Sequence, residues 1–282
     1  MSINKKIKKF VQKYPALVRM KREIWHQFFD YSRLNLCESF PILSPNSAGD
    51  YKDIANLTIN TIKNTFPAMC DLAISLDLKK NIIEEIAHVY TADTESLKNL
   101  IEFYKSDKAD HGYLNFYATV LQPPSEIKKV FEIGLGTNNT DVVSNMGHFG
   151  KPGASLRAFR DYLPNADIYG ADIDKRILFE EDRIKTFFVD QTSQDELNTL
   201  ANLIPNDFDL IIDDGLHSPD ANIRTLNFAL KKIKVGGWIA IEDIRFESLP
   251  VWDIVSLLLP KNFESHIIKA NQYYIFGVRR LS

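Results

Sequence analysis

Two short acidic runs hold most of the chemistry this chain could perform. Asp213-Asp214-Gly215-Leu216-His217 follows the apolar run Phe208–Ile212, and Glu242-Asp243 follows Trp238–Ile241. If both runs are strand ends in one sheet, their carboxylates meet in a single cleft. Acids gathered in this way repel one another and raise their own pKa values unless a cation neutralises them. Hard oxygen donors in this number suit Mg2+, which accepts a few carboxylates and keeps places for water or substrate oxygens. Histidine titrates near neutrality, so His217, three residues beyond Asp214, suits the work of a general base held in place by neighbouring acids. Taken singly, His217 is as readily a histidine that satisfies a buried backbone group, and Glu242 or Asp243 a helix cap. As a constellation they read as a site for cation-assisted proton removal.

The elements that must position these residues are legible in the alternation of the chain after Pro123-Pro124. Apolar runs at Lys129–Ile133, Ile168–Ala171, Thr186–Val189, Phe208–Ile212 and Trp238–Ile241 alternate with helical stretches near Ala154–Tyr162, Gln194–Leu203 and Pro219–Ile233. Such alternation predicts βαβ units and a parallel sheet covered on both faces. Two further runs, Ser265–Lys269 and Gln272–Arg279, are separated by Ala270-Asn271 and predict an antiparallel hairpin. A parallel core closed by such a hairpin resembles the Rossmann-like sheet of class I methyltransferases, an α/β fold. Residues 1–105 show helical spacing instead, as in Ala55, Ile59, Ile62 and Phe66 and again in Ile82, Ile83, Ile86 and Val89. A further helix is expected just before Ser96 and Leu97, with Asp93 or Thr94 as its cap. The expected division is a helical accessory region over 1–105 and a methyltransferase domain over 106–282, with the turn-rich segment 41–49 linking helical pieces of the first.

The first strand runs into Glu132-Ile133-Gly134-Leu135-Gly136, where the glycines let the backbone approach a ligand. The third glycine of a dinucleotide fingerprint is replaced by Asn139, which argues against a pyrophosphate and leaves a nicotinamide-dependent dehydrogenase a distant reading. Glu132 suits the cationic amine of S-adenosylmethionine. At the second strand end Asp172, with Asp174 as the fallback, is placed to accept ribose hydroxyls. Asp190 and Gln191 at the third are placed for the adenine edge. Each acid alone is more often a solvated loop residue or cap, but three successive strand ends carrying one favours a nucleoside site. The loop from Thr137 to Gly153 is long for a strand-to-helix connection and predicts a lid or substrate-contacting element.

Several of these runs together carry a resemblance. Phe131-Glu-Ile-Gly-Leu-Gly-Thr-Asn-Asn, Ser144-Asn-Met-Gly, Gly150-Lys-Pro-Gly-Ala-Ser-Leu-Arg157, the run from Asp161 to Asp174, Asp213-Asp-Gly-Leu-His217 and Ile241-Glu-Asp-Ile244 are similar to those of macrocin/mycinamicin-type sugar O-methyltransferases. The resemblance covers about 104–245. It implies S-adenosylmethionine as cofactor, Asp214, Glu242 and Asp243 as magnesium ligands, His217 as the base with Asp214 beside it, and a sugar hydroxyl as acceptor. It also implies that Ser106 and Lys108 help to hold the cofactor alongside Glu132, Gly134, Gly136, Asp172, Asp190, Gln191 and Asp213. Family members usually carry serine where this chain has Leu216.

Bulk properties exclude some classes. The net charge of -3 argues against a nucleic-acid partner. Eight basic residues and no acid fall within 1–22, and this arm reads either as a solvated helix face or as a contact for an anionic membrane. Cys37 and Cys70 lack any zinc-like spacing and read as buried apolar residues. With no signal peptide pattern, and with the most apolar stretch, 251–259, too short to span a bilayer, the expected location is cytoplasmic. The partner expected is a small-molecule or glycan acceptor, with homo-oligomerisation open. The competing functional readings are a methyltransferase for a non-sugar acceptor, such as a capsule phosphoramidate or a small phenol, and a catalytically inactive binding module.

Overall fold

The computed structural model of the protein describes residues 92–282. The expected helices at 55–66 and 82–89, the linker at 41–49, the basic arm and both cysteines lie outside the described residues. Helix α1 (Ala92–Tyr104) and α2 (Leu114–Val120) lead into strand β1 (Lys129–Ile133). Then follow α3 (Ala154–Tyr162), β2 (Asp167–Asp172), β3 (Glu180–Glu181), β4 (Ile184–Phe188), α4 (Gln194–Leu203) and β5 (Phe208–Asp213). The chain ends with α5 (Pro219–Ala229), β6 (Ile233–Ile244), α6 (Leu249–Leu258), β7 (Phe263–Lys269) and β8 (Tyr274–Arg280).

These strands form one eight-stranded sheet in the order β3-β4-β2-β1-β5-β6-β8-β7. Strands β4, β2, β1, β5 and β6 pair in parallel, while β8 inserts antiparallel between β6 and β7. This is the Rossmann-like sheet with a terminal hairpin that the strand pattern predicts. All six residues of β5 are buried, as a central parallel strand covered on both faces must be. Two apolar layers hold it. One packs Leu97 and Ile101 of α1, Tyr117 of α2 and Leu156 and Phe159 of α3 against Val130 and Leu210. The other packs Leu197, Leu226 and Trp252 against Phe131, Ile211 and Ile239.

Some boundaries move. Asp93 and Thr94 lie inside α1 rather than capping it. Helix α5 stops at Ala229, four residues before the expected end, because Ile233 already opens β6. Strand β4 ends at Phe188 instead of Val189, and the edge strand β3 and helix α6 are additions to the expected set. Helix α1, on the N-terminal side of the expected boundary at 105, packs within the sheet's own core. No helix among the described residues is long and apolar enough to cross a membrane.

Candidate functional site

The register of the sheet fixes the site. Ile133 pairs with Asp213 on β5 and Ala171 on β2, and Asp213 pairs with Ile241 on β6, so four strands end level with one another. A cavity of about 650 Å³ opens over this edge, lined by Gly134 and Gly136 after β1, Asp172 and Asp174 after β2, and Asp190 and Gln191 after β4. Asp214, Leu216, His217 and Asp243 line its far end. Gly134 sits at φ +94°, and a Cβ there would run into the Asp214 carbonyl. The first glycine therefore lets β1 and the β5 turn close on each other.

At the cavity's second wall, Asp172 accepts hydrogen bonds from Leu135 N (2.7 Å) and Asp174 N (2.8 Å). Burial raises its pKa, and these backbone donors oppose the rise. Asp174 accepts from Thr137 Oγ1 (2.6 Å), Asn139 Nδ2 (2.7 Å) and Arg176 Nε (2.7 Å). The Arg176 guanidinium, with those two donors, holds its carboxyl well below the usual range. The long loop is thereby tied to the end of β2, and Val142 to Met146 of that loop line the cavity. Ser144 Oγ also donates to the Leu216 carbonyl (3.3 Å).

The sequence-derived residues separate into cavity walls and supports. Asp213 is fully buried and accepts from Gln191 Nε2 (2.6 and 2.7 Å) and Asn222 Nδ2 (3.0 Å). Gln191 Oε1 in turn accepts from Leu216 N (3.0 Å), so this pair braces the turn that carries His217. Leu216 is buried where it lines the cavity, and His217 follows with φ +57°. Glu132 is fully buried, with Oε2 accepting from Ser155 Oγ (2.5 Å), and it is not among the residues lining the cavity. Ser106 stands at the N-terminus of the turn 107–109 and also lies off the lining, whereas Asp107 is on it.

At the far end, Asp214, His217 and Asp243 each offer a ligand atom within 4.8 Å of the others. His217 Nε2 lies 3.5 Å from Asp243 Oδ2 and 3.9 Å from Asp214 Oδ1. A β-bulge between Ile241 and Ile244 produces this arrangement, putting Asp243 at φ +55° and re-aiming it toward the turn after β5. Two non-glycine residues held at positive φ in one cluster are strain of the kind found at functional sites. Burial alone would raise Asp243, but the hydrogen bond from His111, the charge of His217 and the hydroxyl of Tyr113 outweigh it and hold its carboxyl well below the usual range.

Glu242, beside it, points inward. Lys108 Nζ, itself 1% exposed, donates to Glu242 Oε1 (2.9 Å) and Oε2 (2.8 Å) and to Asp214 Oδ2 (2.8 Å). It also makes a charge contact with Glu132 Oε1 at 3.0 Å. Tyr117 Oη donates to Glu242 as well. Burial pulls Lys108 down, but Asp214, Glu132 and Glu242 more than offset it and hold its ammonium well above the ordinary lysine range.

Burial pushes Asp214 up to about 7 against the pull of Lys108, with Asp243 adding to the rise. A carboxyl with a folded pKa above its unfolded value near 4 binds a proton more tightly when folded, so its contribution to stability is lost as pH rises through that window. In chelator, wild type should therefore gain melting temperature relative to Asp214→Asn on going from about pH 8 to about pH 5. An unchanged difference between the two proteins would remove this assignment.

No known family profile matches the chain. It is 35% identical over 117 residues to mycinamicin VI 2''-O-methyltransferase of Micromonospora griseorubida, a match covering 41% of this chain and 27% of that protein. It is also 35% identical over 121 residues to demethylmacrocin O-methyltransferase of Streptomyces fradiae, covering 43% and 28%. The matched segments thus span little more than a quarter of these relatives' length. A methyltransferase from the mycinamycin biosynthetic pathway, solved with Mg, SAH and mycinamycin VI, superposes with a TM-score of 0.51 at 23% identity, over 66% of this chain and 53% of that one. The domain has the class I methyltransferase fold.

In this methyltransferase-type domain the groups missed from sequence come mostly from the segment ahead of β1. His111 Nδ1 lies 3.4 Å from Asp243 Oδ1, Tyr113 Oη donates to Asp243, and Tyr117 reaches Glu242. Polar and aromatic side chains at 107, 108, 111, 113 and 117 were the available signal, since helical spacing puts 113 and 117 on one face. Arg176 and Asp141, which pair across the loop at 3.0 Å, carried no comparable mark.

Proposed function

We propose that the protein is an S-adenosylmethionine-dependent, Mg-assisted O-methyltransferase acting on a sugar hydroxyl of a nucleotide sugar, surface glycan or glycosylated metabolite. One observation carries the reading: Asp214, His217 and Asp243 converge within 4.8 Å at the end of a cavity walled by Gly134, Asp172 and Asp190. The residues fit both groups. A cleft of this volume suits a nucleoside. The hard carboxylate oxygens of Asp214 and Asp243, which converge with His217, suit a divalent ion. Asp214 and Asp243 would hold the ion, Glu242 being turned inward onto Lys108 and Tyr117, and Asp172, Asp190 and the glycine turn would hold the cofactor. When bound, the cofactor offers an electrophilic methyl group and the ion lowers the pKa of a neighbouring hydroxyl.

The chain's own groups do the rest. His217, on the cavity lining, accepts the hydroxyl proton as the new bond forms. Asp243, kept ionised by His111 and Tyr113, orients that imidazole and stabilises its charged form. Val142 to Met146 of the long loop line the cavity and are placed to contact the acceptor. Supporting the sugar acceptor is the similarity to relatives named for methylating glycosylated antibiotics.

A methyl-transfer screen against nucleotide sugars and isolated glycans, read by mass spectrometry with and without chelator, tests the reading. Expected is a mass gain of one methyl group on a sugar acceptor that disappears with chelator. Transfer to a phenol or phosphoramidate alone would move the assignment to a non-sugar acceptor. Absence of S-adenosylmethionine binding by calorimetry would end it.

A further inference from the structure

Lys108 is an unusual occupant of this site. It is a long cation delivered by the short turn Asp107–Ala109, which is anchored by Ser106 N to the Ile101 carbonyl (3.0 Å) and Tyr113 N to the Lys108 carbonyl (3.1 Å). From there it crosses the edges of three adjacent strands and touches an acid at each: Glu132 on β1, Asp214 after β5 and Glu242 on β6. Its contact with Asp214 is confined to Oδ2, and the other oxygen, Oδ1, is the one that faces His217.

Resting on the function proposed above, we propose that Lys108 is a positioning residue that sets the charge of the ion site. It acts as an internal counter-ion, sharing Asp214 with the divalent ion and limiting how much negative charge that ion feels. Formal charges favour this role. Lys108 is the ammonium that contacts Glu132, Asp214 and Glu242 directly, so it places one positive charge against the acids that flank the ion site. Without Lys108 that charge is lost, and charges a few ångströms apart in a partly buried site interact strongly. The ion would bind more tightly, but its field at the acceptor oxygen would be offset by the acids left without their counter-ion. In this view the lysine gives up ion affinity for Lewis acidity.

The test is a Mn2+ titration of wild type, Lys108→Met and Lys108→Arg, each first checked by thermal melting. Methionine keeps the volume of the stem and removes the charge. Lys108→Met should bind Mn2+ at least about tenfold more tightly, and Lys108→Arg within about threefold of wild type, because one nearby unit charge dominates the difference. A residue with only a packing role would leave affinity unchanged or weaken it, and either result overturns the proposal. If wild type binds no Mn2+, the ion itself fails and Lys108's role with it. If wild type binds and Lys108→Met matches it, only the role of Lys108 fails. Should Lys108→Met not fold, the crystal structure of the wild-type Mn2+ complex decides. Lys108 Nζ still on Asp214 Oδ2, with the ion on Oδ1, supports the proposal, and Lys108 displaced from Asp214 overturns it.

Discussion

Replacing His217 with asparagine should lower turnover by about 10²–10⁴-fold, the range associated with losing a general base, while S-adenosylhomocysteine affinity stays within about threefold. The expectation follows from where His217 sits. It is on the cavity lining at the end shared with Asp214 and Asp243, away from the Asp172 and Asp190 walls that would hold the nucleoside. Its backbone is set by φ +57° and by the Gln191–Asp213 brace, not by its own imidazole. Asparagine is among the residues that tolerate that conformation best, so the turn should survive the change. Calorimetry with S-adenosylhomocysteine and turnover on the acceptor returned by the screen separate the two effects. A variant that loses cofactor affinity in step with turnover would make His217 a structural residue of the turn. Turnover within about threefold of wild type would remove it as the base.

The reach of the sequence differs between parts of this molecule, and the reasons are physical. Strand β1 and helices α3 and α4 have the bounds their periodicity predicts, because continuous apolar runs and amphipathic stripes are local signals. The hairpin was legible for the same reason. The edge strand β3 is two exposed glutamates and has no such pattern. At the site, Asp214, His217 and Asp243 could be grouped because the first two follow β5 and the third lies at the end of β6, and strands ending level must bring such residues together. The inward turn of Glu242 could not be read in this way. It depends on a bulge two residues long and on a lysine more than 130 residues away in sequence. Asp174 shows the same limit: its partners Thr137, Asn139 and Arg176 come from two loops whose conformation has no period to read.

Replacing Asp243 with asparagine should be the more severe lesion. Turnover is expected to fall at least as far as when one preorganised electrostatic group is removed, on the order of 10²–10³-fold, and Mn2+ binding to weaken by at least about tenfold. Asp243 serves two functions at once. Its Oδ2 lies 3.5 Å from His217 Nε2, and the same carboxylate is one of the three groups that converge within 4.8 Å. A carboxamide is nearly isosteric and can still accept from Tyr113 and His111, so the bulge and the fold should persist. It carries no charge for an ion, and its amide nitrogen would face a protonated imidazole donor to donor, opposing the state His217 must reach. His111, His217 and Tyr113 keep the wild-type carboxyl well below its usual range, so it is ionised near neutral pH. That makes Asp243 an orienting group and not the proton carrier. Adding excess Mg2+ distinguishes its two functions. Recovery of activity at high ion concentration would mean that Asp243 contributes affinity alone, whereas a deficit that persists at saturation assigns the remainder to the imidazole it holds.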